Sequence, residues 1–380
     1  RRRASLPKAP LGVMFHSPLW DPSGYAEDGR TLLRALAAGP REVAARSIPW
    51  SHEICPLPTL EKSLYRALEH SKRPTHTIAI TNCIATLVGP DPSASYNILR
   101  TTNETDRIPA DWIPRLAAFD EIWVLSTHNA RAFRQSGIAP EKLRVINPAC
   151  DTEVFRPEGA LRPRTKELID RFVFLSILDW QLRKGWDFLL RVYVQEFSLE
   201  EGACLLLKIT RQHGHSREAV RAQIDQVLAE VGTSFVARPD IVLMEEFCDA
   251  SALAALYRSC DAFVLASRGE GWGRPYMEAM ACGLPTIGTK GSGNDDFMHP
   301  GNSYLVEVTP TPVGEEAVRE IPVFEGHRWN EPDSYSLRSK MRYVFDHREA
   351  AKAVGRAAAI EISERFSLLA LERRTSAAIN

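Results

Sequence analysis

The chain has 380 residues, 44% of them hydrophobic and 25% charged, with a formal net charge of −1. A length beyond the ~250–300 residues at which one core stops growing predicts two domains. Near-neutral charge argues against a general nucleic-acid binder, and no apolar run approaches the ~20 residues that cross a bilayer. Seven scattered cysteines, never spaced C-x-x-C, fit the reduced thiols of a cytoplasmic protein better than a disulfide framework or a zinc site.

Residues 1–10, RRRASLPKAP, are basic and lack an apolar stretch, and read as a disordered or expression-derived end instead of a signal peptide. Apolar runs then predict strands at Leu11–His16, Val43–Pro49, His76–Thr81, Asn97–Thr102, Glu121–Ser126 and Leu143–Asn147. A second series follows at Phe172–Leu178, Cys204–Ile209, Ile241–Met244, Ala262–Ala266, Pro285–Gly288 and Tyr304–Val308. Most are continuously apolar, as parallel strands covered on both faces must be. Helical patterns separate many of them, at Gly29–Ala38, Thr127–Ser136, Trp186–Gln195, Ser216–Val231 and Ser251–Arg258. The alternation predicts an α/β chain of two doubly wound, Rossmann-like domains facing across a cleft. A stretch rich in proline and turn residues, Pro148–Pro163, divides them into 11–160 and 161–335. Pro310–Pro332 reads as a loop, and helices at Ser336–His347 and Arg348–Arg365 place residues 336–380 in a closing helical segment that packs back on the first domain.

In such sheets the loops after the strands carry the chemistry. The densest is RGEGWGRPYMEAMACG, residues 268–283. It is not a dinucleotide fingerprint, because Arg274 stands where the third glycine of G-x-G-x-x-G belongs, and no Walker loop occurs anywhere. Gly271 and Gly273 admit close backbone approach, and Pro275 suits a helix's first turn. A helix Pro275–Cys282 then aims its N-terminus at the loop, offering N–H donors and a positive dipole end to an anion. Glu270 lies in the loop and Glu278 one turn into the helix. Two carboxylates accepting from vicinal hydroxyls suit a ligand with two sugar rings and a phosphate between; the plain alternative is a glycine turn with Glu278 as a surface charge.

The segment from Glu270 to Ile287 resembles the Glu-x7-Glu motif of glycosyltransferase family 4, a group 1 family of retaining GT-B enzymes that use nucleotide sugars. Leu256–Ser267, Lys290–Phe297, Lys142–Pro148 and Asp151–Pro157 resemble its surroundings, so the likeness spans roughly residues 120–310. It implies that Glu278 holds the nucleotide ribose, that Glu270 meets the transferred sugar, and that backbone around Gly271, Trp272, Gly273, Arg274 and Pro275 meets sugar or diphosphate. Arg183 and Lys184 resemble the basic diphosphate site, although Leu178-Asp179 stands where the family often has Gly-Arg; the alternative is a solvated charge pair. Asp21-Pro-Ser-Gly24-Tyr25 resembles the first glycine loop, near the donor phosphates, and His16 is equally a core histidine.

After the fourth strand many members place a histidine near the reacting sugar. Here Thr101–Arg107 has none, so Asn103 or Glu104 substitutes, or Glu104 is a loop carboxylate. Arg211 and His213 follow a strand and read as an exposed loop, and His213-x-His215 is too isolated to bind metal. Thr59–Arg73 carries Leu60, Leu64 and Leu68 on one stripe with lysines and arginines elsewhere, which suits a core-packed helix or a membrane surface. Base recognition is expected near Met244–Phe247.

The resemblance implies an enzyme: a retaining, metal-independent hexosyltransferase taking a UDP- or GDP-linked sugar to a glycan, lipid or small-molecule hydroxyl. It would need no cofactor, bind no nucleic acid, and work in the cytoplasm or peripheral to a membrane. No D-x-D triplet occurs, in keeping with cations serving in place of a metal. A nucleotide-sugar epimerase or hydrolase and a non-catalytic sugar-nucleotide-binding scaffold are the competing readings.

Overall fold

The computed structural model describes residues 12–51, 54–210, 215–232 and 239–380. The N-terminal decapeptide, Leu11, Arg211 and His213 lie outside the described residues. The chain divides into two compact units, residues 1–151 with 364–380, and 152–363. The closing segment is thus shared: its last helix belongs to the first unit and most of the remainder to the second.

In the first unit the order is β1 (Gly12–Ser17), α1 (Gly24–Ala38), β2 (Val43–Ser47), α2 (Thr59–His70), β3 (Thr77–Asn82) and β4 (Tyr96–Thr101). Then come α3 (Trp112–Ala117), β5 (Glu121–Val124), α4 (Thr127–Gln135) and β6 (Leu143–Val145). The six strands form one parallel sheet in the order β2-β1-β3-β4-β5-β6. One core joins Val13, Phe15, Ile78 and Ile98 to Leu32 and Leu36 of α1, while a second joins Leu99, Ile122 and Val124 to Trp112, Leu116 and Phe133. Strands with both faces covered need continuous apolar runs, and that is what these segments supply. A fully buried Arg100 on β4 donates a fork to Asp28 of α1 at 2.7 and 2.9 Å and a third bond to the Ile146 carbonyl, tying helix to sheet.

The second unit runs β7 (Phe172–Asp179), α5 (Trp186–Glu196), β8 (Ala203–Thr210), α6 (Arg217–Val231), β9 (Asp240–Met244) and α7 (Ala250–Arg258). It continues with β10 (Ala262–Leu265), α8 (Arg274–Ala281), β11 (Thr286–Thr289) and β12 (Tyr304–Val306). Its parallel sheet has the order β12-β11-β10-β7-β8-β9. The stretch read as a loop is instead an antiparallel hairpin, β13 (Val308–Pro312) and β14 (Arg328–Pro332), enclosing α9 (Glu315–Glu320). Pro310, Pro312 and Pro332 masked it in the sequence; prolines are tolerated in a two-stranded ribbon because each strand has an edge needing no N–H. The chain closes with α10 (Ser334–Asp346), α11 (Arg348–Phe366) and α12 (Leu368–Ile379). α12 goes beyond the expected helices. It lies along α1 in the first unit, with Leu371, Ala378 and Ile379 in the same core as Leu32 and Leu36.

Candidate functional site

In the second sheet the chain leaves β7 toward β8 and returns through β10 toward β11, so the loops after β7 and β10 diverge from neighbouring strands. That is the switch point at which open α/β sheets bind ligands beyond the strands' carboxyl ends. The sequence puts Arg183 and Lys184 in the first of these loops and Glu270 in the second.

The two loops are locked together. Gly185, at the start of α5, has φ +67° and lies so close to β10 that a Cβ there would stand 1.9 Å from the Ala266 carbonyl oxygen. Only glycine accepts both the dihedral and the approach. The Arg268 N–H donates to the Arg183 carbonyl at 2.7 Å, and Arg183 Nη1 donates to the Gly269 carbonyl at 2.7 Å. Lys184 Nζ then meets Glu270 Oε1 at 2.6 Å, Ser267 Oγ donates to the same oxygen at 2.8 Å, and Arg183 stands 3.8 Å from Oε2. Glu270 is only 5% exposed. Burial alone would raise its pKa, but the charges of Lys184 and then Arg183 outweigh burial and hold it below the ordinary carboxylate range. The basic pair and Glu270, assigned to different parts of a ligand in the sequence, form one cluster around a buried carboxylate.

α8 begins at Arg274, one residue before the expected start, so Pro275 occupies the second position and brings no N–H to the helix end. Gly273 precedes it with φ +93°, a left-handed conformation that glycine adopts at little cost. Side chains on a helix lean toward its N-terminus, and Glu278 does so from one turn inside. Its carboxylate accepts from the Tyr257 hydroxyl at 3.2 Å and lies 3.5 Å from Arg274 Nη2. Tyr257, on α7, is a partner that the motif did not disclose. Trp272 turns inward, its ring 4.8 Å from that of Phe297 and its Nε1 donating to Met277 Sδ. The indole of Trp272 is therefore packed inside the fold. Next to β9, a cavity of about 420 Å³ is walled in part by Leu168, Leu206, Met244, Glu246 and Leu256, overlapping the segment expected to meet a base.

The first unit is organised differently. Gly24 and Tyr25 form the first turn of α1, at the end of the loop after β1, capped by Ser23 Oγ accepting from the Ala26 N–H. A Cβ on Gly24 would meet nothing within 4 Å. Tyr25 bonds Thr101 Oγ1 at 3.1 Å, accepts from the Thr102 N–H, and stacks obliquely on Trp50. Asn103 is buried, and its Nδ2 is spent on Thr105 and the Arg107 carbonyl, so its amide holds its own loop. Glu104 is half-buried, and no hydrogen bond or ion pair of its carboxylate occurs among the described residues. His16 contacts Asp91 at 3.2 Å, and burial lowers its pKa despite that carboxylate. Only one end of the leucine stripe of α2 is on its buried face. Tyr65 and Leu68 pack inward, whereas Leu60 is 85% exposed and Leu64 is exposed too. Among the described residues no helix is long and apolar enough to cross a membrane, and no His/Cys/Asp/Glu group could hold a metal ion.

The family described as "Glycosyl transferases group 1" matches residues 170–319. The D-inositol 3-phosphate glycosyltransferase 1 of Catenulispora acidiphila is 32% identical over 174 residues, which are 45% of this chain and 41% of that protein. The MMP alpha-(1->4)-mannosyltransferase of Mycolicibacterium hassiacum is 28% identical over 47% of this chain and 38% of its own length. The chain thus spans about two fifths of these curated relatives. Similarity of fold covers much more. Anabaena HepE, solved with UDP and glucose, aligns with 97% of this chain and 99% of its own at a TM-score of 0.68 and 12% identity. The UDP-forming alpha,alpha-trehalose-phosphate synthase of Burkholderia xenovorans aligns over the same shares at 0.66 and 11% identity. This chain has the GT-B fold, and its residues 170–319 are similar to the family of group 1 glycosyl transferases.

Proposed function

We propose that the protein is a glycosyltransferase that moves a hexose from a nucleoside diphosphate sugar to an acceptor hydroxyl with retention of anomeric configuration. The observation that carries this reading is the buried meeting of Lys184, Arg183 and Glu270 at the switch point of the second sheet. An ammonium and a guanidinium beside one carboxylate form a site that takes a diphosphate and a sugar hydroxyl at adjoining positions. As the glycosidic bond breaks, charge grows on the leaving diphosphate, and Arg183, Lys184 and the N-terminal end of α8 stabilise it there. Glu278 accepts from the ribose hydroxyls and Glu270 from the sugar. In our reading the leaving phosphate takes the acceptor proton on the same face, and neither glutamate is a nucleophile. These cations do the work a metal does elsewhere, and no further cofactor is needed. Uridine is supported as the base because HepE was also solved with UDP-glucose. Glu104 is our candidate for the acceptor reaction, and the exposed Leu60 and Leu64 of α2 support contact with a membrane surface.

A thermal-shift panel of UDP-, GDP-, ADP- and TDP-sugars tests the reading, since a ligand that binds the native state raises its stability. One nucleotide class should raise Tm and be consumed only with an acceptor present. No shift with any of the four, or product NMR showing inversion, would overturn it.

A further inference from the structure

The hairpin β13–β14 stands outside the main sheet, yet with its enclosed helix it reaches three of the loops that follow the sheet's strands. The Asn330 N–H donates to the Arg268 carbonyl at 2.8 Å, and Asn330 Nδ2 donates to the Gly291 carbonyl at 2.7 Å. Glu320, on the helix inside the hairpin, accepts from the Leu182 N–H at 2.9 Å. These three contacts fall on the loops after β10, β11 and β7 respectively.

Arg268 is the hub. It is 6% exposed, and its guanidinium is gripped on two edges. Nε and Nη2 donate to Glu331 of β14 at 2.7 and 2.9 Å, while Nη1 and Nη2 donate to Asp187 of α5 at 2.7 and 2.9 Å. Nη1 also donates to the Leu182 carbonyl, and the Trp329 ring covers the group at 5.2 Å. All five N–H donors are thereby accepted. Two of the acceptors, Leu182 and Asp187, bracket Arg183 and Lys184 in sequence. Nothing in the donor chemistry requires Arg268 to touch a substrate, so its buried charge has another use.

We propose that residues 308–332 brace the anion site and that Arg268 is a positioning residue, fixing the 182–185 turn so that Lys184 stays against Glu270. This rests on reading Lys184 as the diphosphate contact, and it adds the element that places it. A flexible lysine stem pays for its freedom in placement, and a misplacement of about 1 Å costs on the order of 100-fold in rate. A lysine at 268 would keep the charge but lose the planar fork, so it could not hold Leu182, Asp187 and Glu331 together.

Two measurements on the full chain test this, using R268K and E331Q. Without ligand, acylation of Lys184 by an amine-reactive ester is followed by mass spectrometry, with the exposed Lys352 as internal control. R268K should raise the Lys184 rate about tenfold, as when one bond to a charged group is lost, and leave Lys352 unchanged. In steady state R268K should lower kcat roughly 30- to 100-fold with donor KM within about threefold, because the Glu278 contacts do not run through Arg268. E331Q, which keeps shape and one acceptor, should shift both readouts the same way by less, and it carries the test should R268K fail to fold. Unchanged Lys184 labelling in folded variants, or a lower Tm with normal kcat, would overturn the proposal. Faster labelling in a protein whose wild type turns over no nucleotide sugar would uphold the brace and remove the functional reading instead.

Discussion

The loop after β10 and the loop after β4 each follow an interior strand of a parallel sheet, and each carries an acidic residue in the sequence-based site. Their surroundings are opposite. Glu270 is buried and held by Lys184, Ser267 and Arg183, so its charge is in place before any ligand arrives. Glu104 is half-buried and makes no such bond among the described residues, while its neighbour Asn103 is consumed by the loop. One region is a prearranged charge cluster that cannot change sign or shape cheaply. The other is a framework carrying an uncommitted group, which suits a part of the reaction that varies with the acceptor.

Lys184→Ala should have the largest effect. Transfer should fall by about 10²–10³, the range for losing one donor to developing charge. Stability should also fall by about 3–5 kcal/mol, since Glu270 would keep a buried charge without its partner. Adding Glu270→Gln should recover most of that stability and none of the activity, which urea unfolding and steady-state assays would separate.

Next comes the pair that breaks the comparison if it fails. Glu104→Gln should lower transfer about tenfold or more with Tm nearly unchanged, whereas Asn103→Ala should cost about 1–3 kcal/mol with donor KM intact. The reverse pattern would make Glu104 a loop group after all. Glu278→Gln should weaken nucleoside diphosphate binding roughly tenfold by calorimetry, because a bond to a charged acceptor contributes about 1.5–3 kcal/mol, and Tyr257→Phe should weaken it less.

Acid should weaken the Glu270 cluster. The folded pKa of Glu270 lies below that of the unfolded chain, so its contribution is complete above the ordinary value of 4.5 and is lost as pH falls through the folded value. Denaturation between pH 5 and 3 should therefore be shallower in Glu270→Gln than in wild type. The smallest effect belongs to Gly24→Ala. Its side chain would meet nothing and a helix turn prefers alanine, so Tm should hold or rise slightly; a raised donor KM would mean that a ligand's approach requires the glycine.

Much of this organisation is legible in the residues. Apolar runs, most of them continuous, announced every strand of both main sheets to within one or two residues, because a strand covered on both faces has no wholly polar side to blur it. Arg183, Lys184, Glu270 and Glu278 were legible as chemistry because glycines and cations cluster after strands. Their mutual contacts were not, since pairing between residues 86 positions apart depends on strand order and not on local pattern. Arg268 passed unnoticed for the same reason, with partners at 187 and 331. Prolines disguised β13 and β14, and α1 ran five residues earlier than its apolar periodicity because Ser23 caps a first turn that is itself not apolar.

The path of α12 has a consequence in time. Leu371, Ala378 and Ile379 fill the core beside Leu32 and Leu36, so the first unit draws its final layer from the far end of the chain. During synthesis, roughly two hundred residues of the second unit emerge while that apolar face of α1 still waits for its cover. The first unit, although begun earlier, closes its core only after the chain of the second unit has been made.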